Sequence, residues 1–380
     1  MHTDDIIDQN LCSLPWLHTE VSLQSNNVRP CCKYKFPVKG VENFVKIWNG
    51  LEFSQIRETI KQGVLPAGCS ACDVPADTFS YKSFKNDVYR KKFNTPLDPI
   101  VLPKVLHITL KNTCNLSCRM CHPGASSKLY ETSKKSKYLI KLYNYTPNNN
   151  RIDIESLRSS VLNIEHITIT GGEPLIDEDC YTLINLVKES SPNLKSISFS
   201  TNMTRVNQSL LLLLHSLPRS IKIKFNISID GPEHIHNYIR HGFKWNKLVE
   251  NIKQLKSVAS SFGVNSTVSA MNVGYLSELI STLRTVENQA DIEFSHIMST
   301  PVLESHLHAE CVPNNARNAY LEKLKAHTDF GIHGSDILVN TAIHVLNQPV
   351  GNTSSMFEFL FEFDKVTGTN YATIYPEFVK

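Results

Sequence analysis

From residue 104 onward, short runs rich in β-branched and apolar residues alternate with longer stretches whose apolar residues recur every three or four positions. The short runs predict strands at Val105–Leu110, Ile164–Thr170, Ser196–Ser200, Ile221–Ile229, Asn265–Ala270 and Ile292–Ile297. The longer stretches predict helices at Glu178–Glu189, Asn207–Ser216, Trp245–Ser260 and Leu276–Asn288; Leu248, Ile252, Leu255 and Val258 show the spacing of one buried helix face. Strands alternating with helices imply parallel βαβ units, and six in series imply an α/β fold built on a partial (β/α)6 TIM-like barrel over residues 104–300.

The flanking segments read differently. Residues 1–95 show short segments, scattered turn residues and one helix, Phe44–Gln62, with Cys69-Ser70-Ala71-Cys72 just after it. This predicts a small loop-rich, metal-stapled module. Pro96, Pro99 and Pro103 mark residues 96–103 as a linker. Asn144–Arg151, with Pro147 and several asparagines, reads as an exposed loop. From 301 to 380 a helical extension is expected, with helices at Ala316–Ala326 and Ser335–Leu346; the last residues are mixed in pattern and receive no element.

Composition narrows the function classes. A net charge of +3 gives no argument for a nucleic-acid or anionic-membrane partner. No apolar run is long enough to span a bilayer. The acidic, polar start Met1-His2-Thr3-Asp4-Asp5 lacks the features of a signal peptide, so a cytoplasmic location is expected. In a large intracellular chain, clustered cysteines more often bind metal or act catalytically than form disulfides. Eight of the ten cysteines cluster: Cys12, Cys31, Cys32, Cys69 and Cys72, then Cys114, Cys118 and Cys121. Cys180 and Cys311 stand alone, as small buried hydrophobes often do.

The later set is a C-x3-C-x2-C loop that follows the first barrel strand. Three thiolates from one turn can hold three irons of a cubane and leave the fourth open, whereas a structural cluster takes four cysteines. Gly171-Gly172-Glu173-Pro174 follows the second strand, Thr201-Asn202 the third, and Ser228-Ile229-Asp230-Gly231-Pro232 ends the fourth. These are the strand ends at which β/α barrels build active sites. Ser228 and Asn226 share a strand face by alternation, taken as the inner one. Turn and helix-cap roles remain open for Ser228, Asn202 and Arg240, and Asp230 reads as a cap.

Over about 200 residues this series of motifs resembles the radical S-adenosylmethionine (SAM) enzymes. The resemblance implies that Cys114, Cys118 and Cys121 bind a catalytic [4Fe–4S] cluster whose open iron chelates SAM, with Met120 near the adenine. It implies that Gly171, Gly172 and Glu173 meet the SAM ammonium, and that Asn202, Ser228 and Arg240 are further SAM contacts. The implied activity is reductive cleavage of SAM to a 5′-deoxyadenosyl radical that abstracts hydrogen from a peptide, protein or small-molecule substrate. An electron donor such as flavodoxin or ferredoxin is an implied partner.

Cys12, Cys31-Cys32 and Cys69-x2-Cys72, with Leu14-Pro15-Trp16, Val28-Arg29-Pro30 and Ile47-Trp48-Asn49 around them, resemble the auxiliary-cluster module called SPASM or, in its shortened one-cluster form, twitch. The implied ligands are Cys12, Cys31, Cys69 and Cys72, with Cys32 an alternative to Cys31, and the implied role is electron relay in a net oxidation. Two features depart from that family: the module precedes the barrel, and Asn26 stands where a glycine is usual. A four-cysteine zinc staple fits the same spacing, so a barrel whose zinc module docks a partner stays open, as does a noncatalytic iron–sulfur protein.

Overall fold

The computed structural model describes residues 12–72, 102–147, 152–328 and 331–379. The assigned linker lies outside these except for Leu102 and Pro103, as do the first eleven residues and the end of the 144–151 loop.

Eleven strands are present among the described residues: β1 (His18–Ser22), β2 (Asn27–Arg29), β3 (Val38–Lys39), β4 (Val105–Thr109), β5 (Ser117–Cys118), β6 (His166–Thr170), β7 (Ser196–Thr201), β8 (Lys222–Ser228), β9 (Arg240–His241), β10 (Ser261–Val268) and β11 (Phe294–Pro301). Nine form one sheet in the order β11-β10-β8-β7-β6-β4-β1-β2-β3; β5 and β9 pair separately. The six expected barrel strands are therefore β4, β6, β7, β8, β10 and β11, all parallel, in an open sheet with helices between them.

Side-chain alternation sorts the two faces. On β8, Ile223, Phe225 and Ile227 are buried in the core, whereas Lys224, Asn226 and Ser228 are half-buried on the opposite face. Phe199, Phe225 and Phe262 stack across β7, β8 and β10 with ring centroids 5.2 and 5.8 Å apart. Each such buried ring contributes on the order of 2–3 kcal/mol. Strand β10 starts at Ser261, earlier than the apolar pattern showed. Gly263 hides the alternation there because the His296 ring occupies the place of its side chain: a Cβ would lie 2.4 Å from it.

The N-terminal segment departs furthest from the expected loop-rich module. Strand β1 pairs in parallel with β4, from His18 opposite Val105 to Ser22 opposite Thr109, and β2 and β3 continue the sheet antiparallel. Asn26 turns the β1–β2 hairpin at φ +49°, the left-handed conformation a glycine would serve, and its Oδ1 accepts from Val41 N at 2.8 Å. The single expected helix is two, Phe44–Trp48 and Leu51–Lys61. Gly50 separates them in extended conformation, with its Cβ direction blocked by the Lys46 carbonyl.

In the C-terminal extension the helices Asn314–Lys325 and Ser335–Leu346 lie where the pattern put them, and a further helix spans Thr353–Thr367. None of the helices among the described residues is long and apolar enough to cross a membrane.

Candidate active site

The cysteine loop leaves the C-terminal end of β4 and is held from three sides. Ser127 accepts from Cys114 N and donates to Cys114 O, both at 3.2 Å, and Ser126 donates to Leu116 O at 2.6 Å. Strand β5 then pairs antiparallel with β9, setting Cys118 opposite Arg240. Arg119 N donates to Ile239 O at 2.9 Å and Cys121 N to Cys118 O at 3.2 Å. These serines carry no sign of their role in the cysteine pattern itself.

The Gly171–Gly172 turn is bolted to the same loop. Gly172 N donates to Lys111 O at 2.9 Å and Glu173 N to Thr113 O at 2.7 Å. A Cβ on Gly172 would sit 2.2 Å from Thr113 O, and Gly171 adopts φ +137°. Both glycines are therefore needed for the approach of the two strand ends.

Glu173 is 1% exposed. Its carboxylate accepts from Leu175 N (3.0 Å), Thr201 Oγ1 (2.7 Å) and Asn202 N (2.5 Å). It ties the end of β6 to the end of β7. Burial pushes its pKa up to about 7 against those three donors. Asn202, placed by this tie, directs Nδ2 toward Cys114 Sγ at 3.8 Å and Asn115 Oδ1 at 3.3 Å.

Arg240, 8% exposed, donates from Nε to Asp230 Oδ2 at 2.5 Å and points Nη1 at Cys118 Sγ, 3.9 Å away. Burial opposes its charge, but Asp230 and the thiols of Cys118 and Cys121 hold it firmly protonated. Asp230, read from the sequence as a cap, is corrected here: it is fully buried, receives Arg240 on one oxygen and Thr267 N (2.8 Å) on the other, and caps no helix. An unpaired buried arginine would cost several kcal/mol, so the counter-ion is obligatory. Ser228 stands two residues before it on the half-buried face of β8, and Met120, 8% exposed, lies between Cys118 and Cys121.

The site therefore gathers three cysteines on one loop, with an arginine and an amide N–H aimed at two of the sulfurs. Burial raises the thiol pKa of Cys114 to about 11. The hydrogen bond between Cys118 and Cys121, with burial, raises Cys118 well above the ordinary thiol value, and the same hydrogen bond lowers Cys121. Buried thiols that face fixed N–H donors are suited to a cationic centre, which binds them as thiolates. The donor set thus fits an iron–sulfur cluster with an open position.

The earlier cysteines also come together. Electrostatic interaction links Cys12 with Cys31, Cys69 and Cys72, and burial raises Cys31 to about 12 and Cys69 to about 11. Cys69 and Cys72 lie on the short 3-10 helix Ala67–Cys72. Gly68 lets Tyr34 pack there, since a Cβ would meet that ring at 2.2 Å, and Lys35 N donates to Gly68 O at 3.0 Å. Cys31 is buried among Leu14, Trp16, Ile56 and Ile60, whereas Cys32 is more open. Among the described residues, no three His, Cys, Asp or Glu side chains close on a point as a single bound ion requires.

Residues 108–280 match the sequence profile of the Radical SAM superfamily. The chain is 26% identical over 178 residues to a GTP 3′,8-cyclase of Aquifex aeolicus, covering 45% of this chain and 50% of that protein. It is 27% identical over 208 residues to a GTP 3′,8-cyclase of Peptoclostridium acidaminophilum, covering 51% and 55%. The chain thus spans about half the length of these relatives. Among solved structures, anSMEcpe with bound AdoMet aligns at 18% identity and TM-score 0.42 over 70% of this chain and 62% of that one. Streptococcus suis SuiB bound to precursor peptide SuiA aligns at 14% identity and TM-score 0.38 over 78% and 64%.

Proposed function

We propose, from the premise that residues 108–280 make this chain a radical SAM protein, that it cleaves SAM reductively and uses the resulting carbon radical to abstract hydrogen from a substrate. The observation that carries this reading is the convergence of Cys114, Cys118 and Cys121 with Arg240 and Asn202 aimed at their sulfurs. Those three cysteines would hold a [4Fe–4S] cluster, which would supply the electron and a binding position for SAM.

The chain's own residues then have separable tasks. Gly171 and Gly172 let the turn after β6 close against the cysteine loop, and in this reading that turn meets the SAM ammonium. Glu173 fixes Asn202 and the end of β7. Asp230 orients Arg240, which holds positive charge at the Cys118 sulfur and so favours the reduced, more negative state of the centre there. Met120 and Ser228 are the adenine-side and ribose- or carboxylate-side contacts in this reading.

Cys12, Cys31, Cys69 and Cys72 are proposed to hold a second [4Fe–4S] cluster that relays electrons in a net oxidation. Their mutual electrostatic coupling supports the set, and the burial of Cys31 favours it over Cys32. In this reading residues 1–95 form the auxiliary module, 104–300 the barrel and 301–380 an extension, in a cytoplasmic protein acting on a peptide, protein or small molecule.

The test is anaerobic reconstitution of wild type and the Cys114/Cys118/Cys121→Ala triple variant. Iron, sulfide and zinc are counted, and 5′-deoxyadenosine is measured after adding SAM and dithionite. Two clusters' worth of iron in wild type, half in the variant, and deoxyadenosine from wild type alone support the reading. An iron-loaded wild type that leaves SAM intact sinks it.

A further inference from the structure

Beside the cysteine loop, at Asn115, lies a concavity of about 410 Å³. Its inner wall is Asn115, the residue after Cys114, and Thr204; its rim carries Arg205, Lys244, Lys247 and Glu250. Lys247 is paired with Glu250 at 2.7 Å. Arg205 and Lys244, both exposed, have no ion-pair partner among the described residues. The concavity therefore carries unbalanced positive charge, in a chain whose net charge is only +3.

The wall is in polar contact with the cysteine site. Asn115 exchanges hydrogen bonds with Thr204 at 2.9 and 3.1 Å, Asn202 donates to Asn115 Oδ1 at 3.3 Å, and the same Asn202 Nδ2 lies 3.8 Å from Cys114 Sγ. The floor is thinned at Gly242, which adopts φ +96° over the Asn115 backbone. A molecule seated against Asn115 is separated from Cys114 by one residue.

We propose that this basic concavity is the docking surface for a small acidic one-electron carrier protein that reduces the cluster at Cys114, Cys118 and Cys121. The proposal rests on the reading of that loop as the holder of a reducible cluster. In the step, one electron leaves the carrier, which is oxidised by one unit, and enters the cluster, which is reduced by one unit; no bond is made or broken. Electron-transfer encounters use small, polar, transient interfaces, and charge complementarity raises their on-rate without requiring tight binding. A patch of two unpaired cations fits that need, whereas an extended nucleic-acid track would call for a longer basic stripe.

The test uses the reconstituted full-length protein, with 5′-deoxyadenosine formation driven either by reduced flavodoxin as the acidic carrier or by dithionite, which needs no docking surface. In Arg205→Glu/Lys244→Glu, the flavodoxin-driven kcat/KM is expected to fall about tenfold or more at low salt, mainly through KM. The difference should shrink as salt is raised. The dithionite-driven rate should match wild type, as should both rates in Lys188→Glu, a single charge reversal on the helix Glu178–Ser190 away from the concavity. Equal flavodoxin-driven rates in the double variant and wild type overturn the docking proposal while leaving SAM cleavage intact. So does an equal loss in Lys188→Glu, or an equal loss with dithionite. Absence of deoxyadenosine from wild type with dithionite removes the reading of the cysteine loop, and the docking proposal with it.

Discussion

Arg119 and Asp364 are joined by a buried ion pair of 2.6 Å that ties the cysteine loop to the C-terminal extension. The guanidinium has no exposed surface, stacks over the Tyr238 ring at 3.6 Å and is flanked by Phe363. Asp364 also accepts from Tyr238 Oη at 3.0 Å and from Thr369 Oγ1 at 2.6 Å. The residue between Cys118 and Met120 is thus an anchor for the helix Thr353–Thr367, and the extension is part of what holds the loop in place.

Arg119→Ala leaves Asp364 buried without its cation. The apoprotein is expected to lose roughly 3–5 kcal/mol in urea unfolding, and the reconstituted variant to retain less iron. Arg119→Lys should recover only part of this, because an ammonium lacks the planar fork that serves Asp364, Thr369 and Tyr238 together. A lysine variant equal to wild type would contradict the account.

Gly172→Ala tests the contact between the glycine turn and the cysteine loop. Its Cβ would fall 2.2 Å from Thr113 O, so one strand end must shift. A stability loss of about 1–3 kcal/mol is expected, with SAM binding weakened more than cluster assembly. Equilibrium dialysis of SAM against iron-loaded protein measures the first, and the iron count the second.

Glu173 gives a pH signature. Unfolded, its carboxyl ionises near 4.5; folded, it keeps its proton to about 7. Between those values the folded apoprotein holds more protons than the unfolded chain, so stability falls as pH rises through the window, by up to roughly 3 kcal/mol. Thermal melts of wild type and Glu173→Gln across pH 4.5–7.5 should diverge, with the flatter curve belonging to the variant. Parallel curves would show that the carboxyl is ionised throughout.

Cys69→Ala/Cys72→Ala should remove about half of the iron and sulfide while dithionite-driven deoxyadenosine formation continues. Oxidation of a substrate, once one is in hand, should fail. Product formed at the wild-type rate would exclude the relay role.

The barrel strands were legible because their apolar positions alternate cleanly, as at Ile223, Phe225 and Ile227. The cysteine loop and glycine turn were legible because rare residue types stood at strand ends. Strand β1 was not: His18-Thr19-Glu20-Val21-Ser22 is almost wholly polar yet fully buried. Two of its polar side chains are paired with residues of the next strand and turn, His18 with Pro30 O at 2.8 Å and Glu20 with Arg29 at 2.6 Å. The helix Thr353–Thr367 was hidden for the opposite reason. Phe357, Phe359, Phe361 and Phe363 alternate with a strand-like period of two, but Met356, Phe359, Leu360 and Phe363 make the buried helical face and Phe361 is left 61% exposed. Arg119 and Asp230 were misjudged or passed over because their partners, Asp364 and Arg240, are set by tertiary contact and leave no local trace.

The pairing of β1 with β4 has a consequence for biosynthesis. On the ribosome His18 emerges long before Val105, so the edge of β1 has no parallel neighbour until the intervening chain has been made. Val105 itself packs in the same apolar cluster as Cys31, Leu14 and Ile60. The surroundings of Cys31 therefore reach their final shape only when the first barrel strand arrives, so the N-terminal segment and the barrel complete their folding together rather than one after the other.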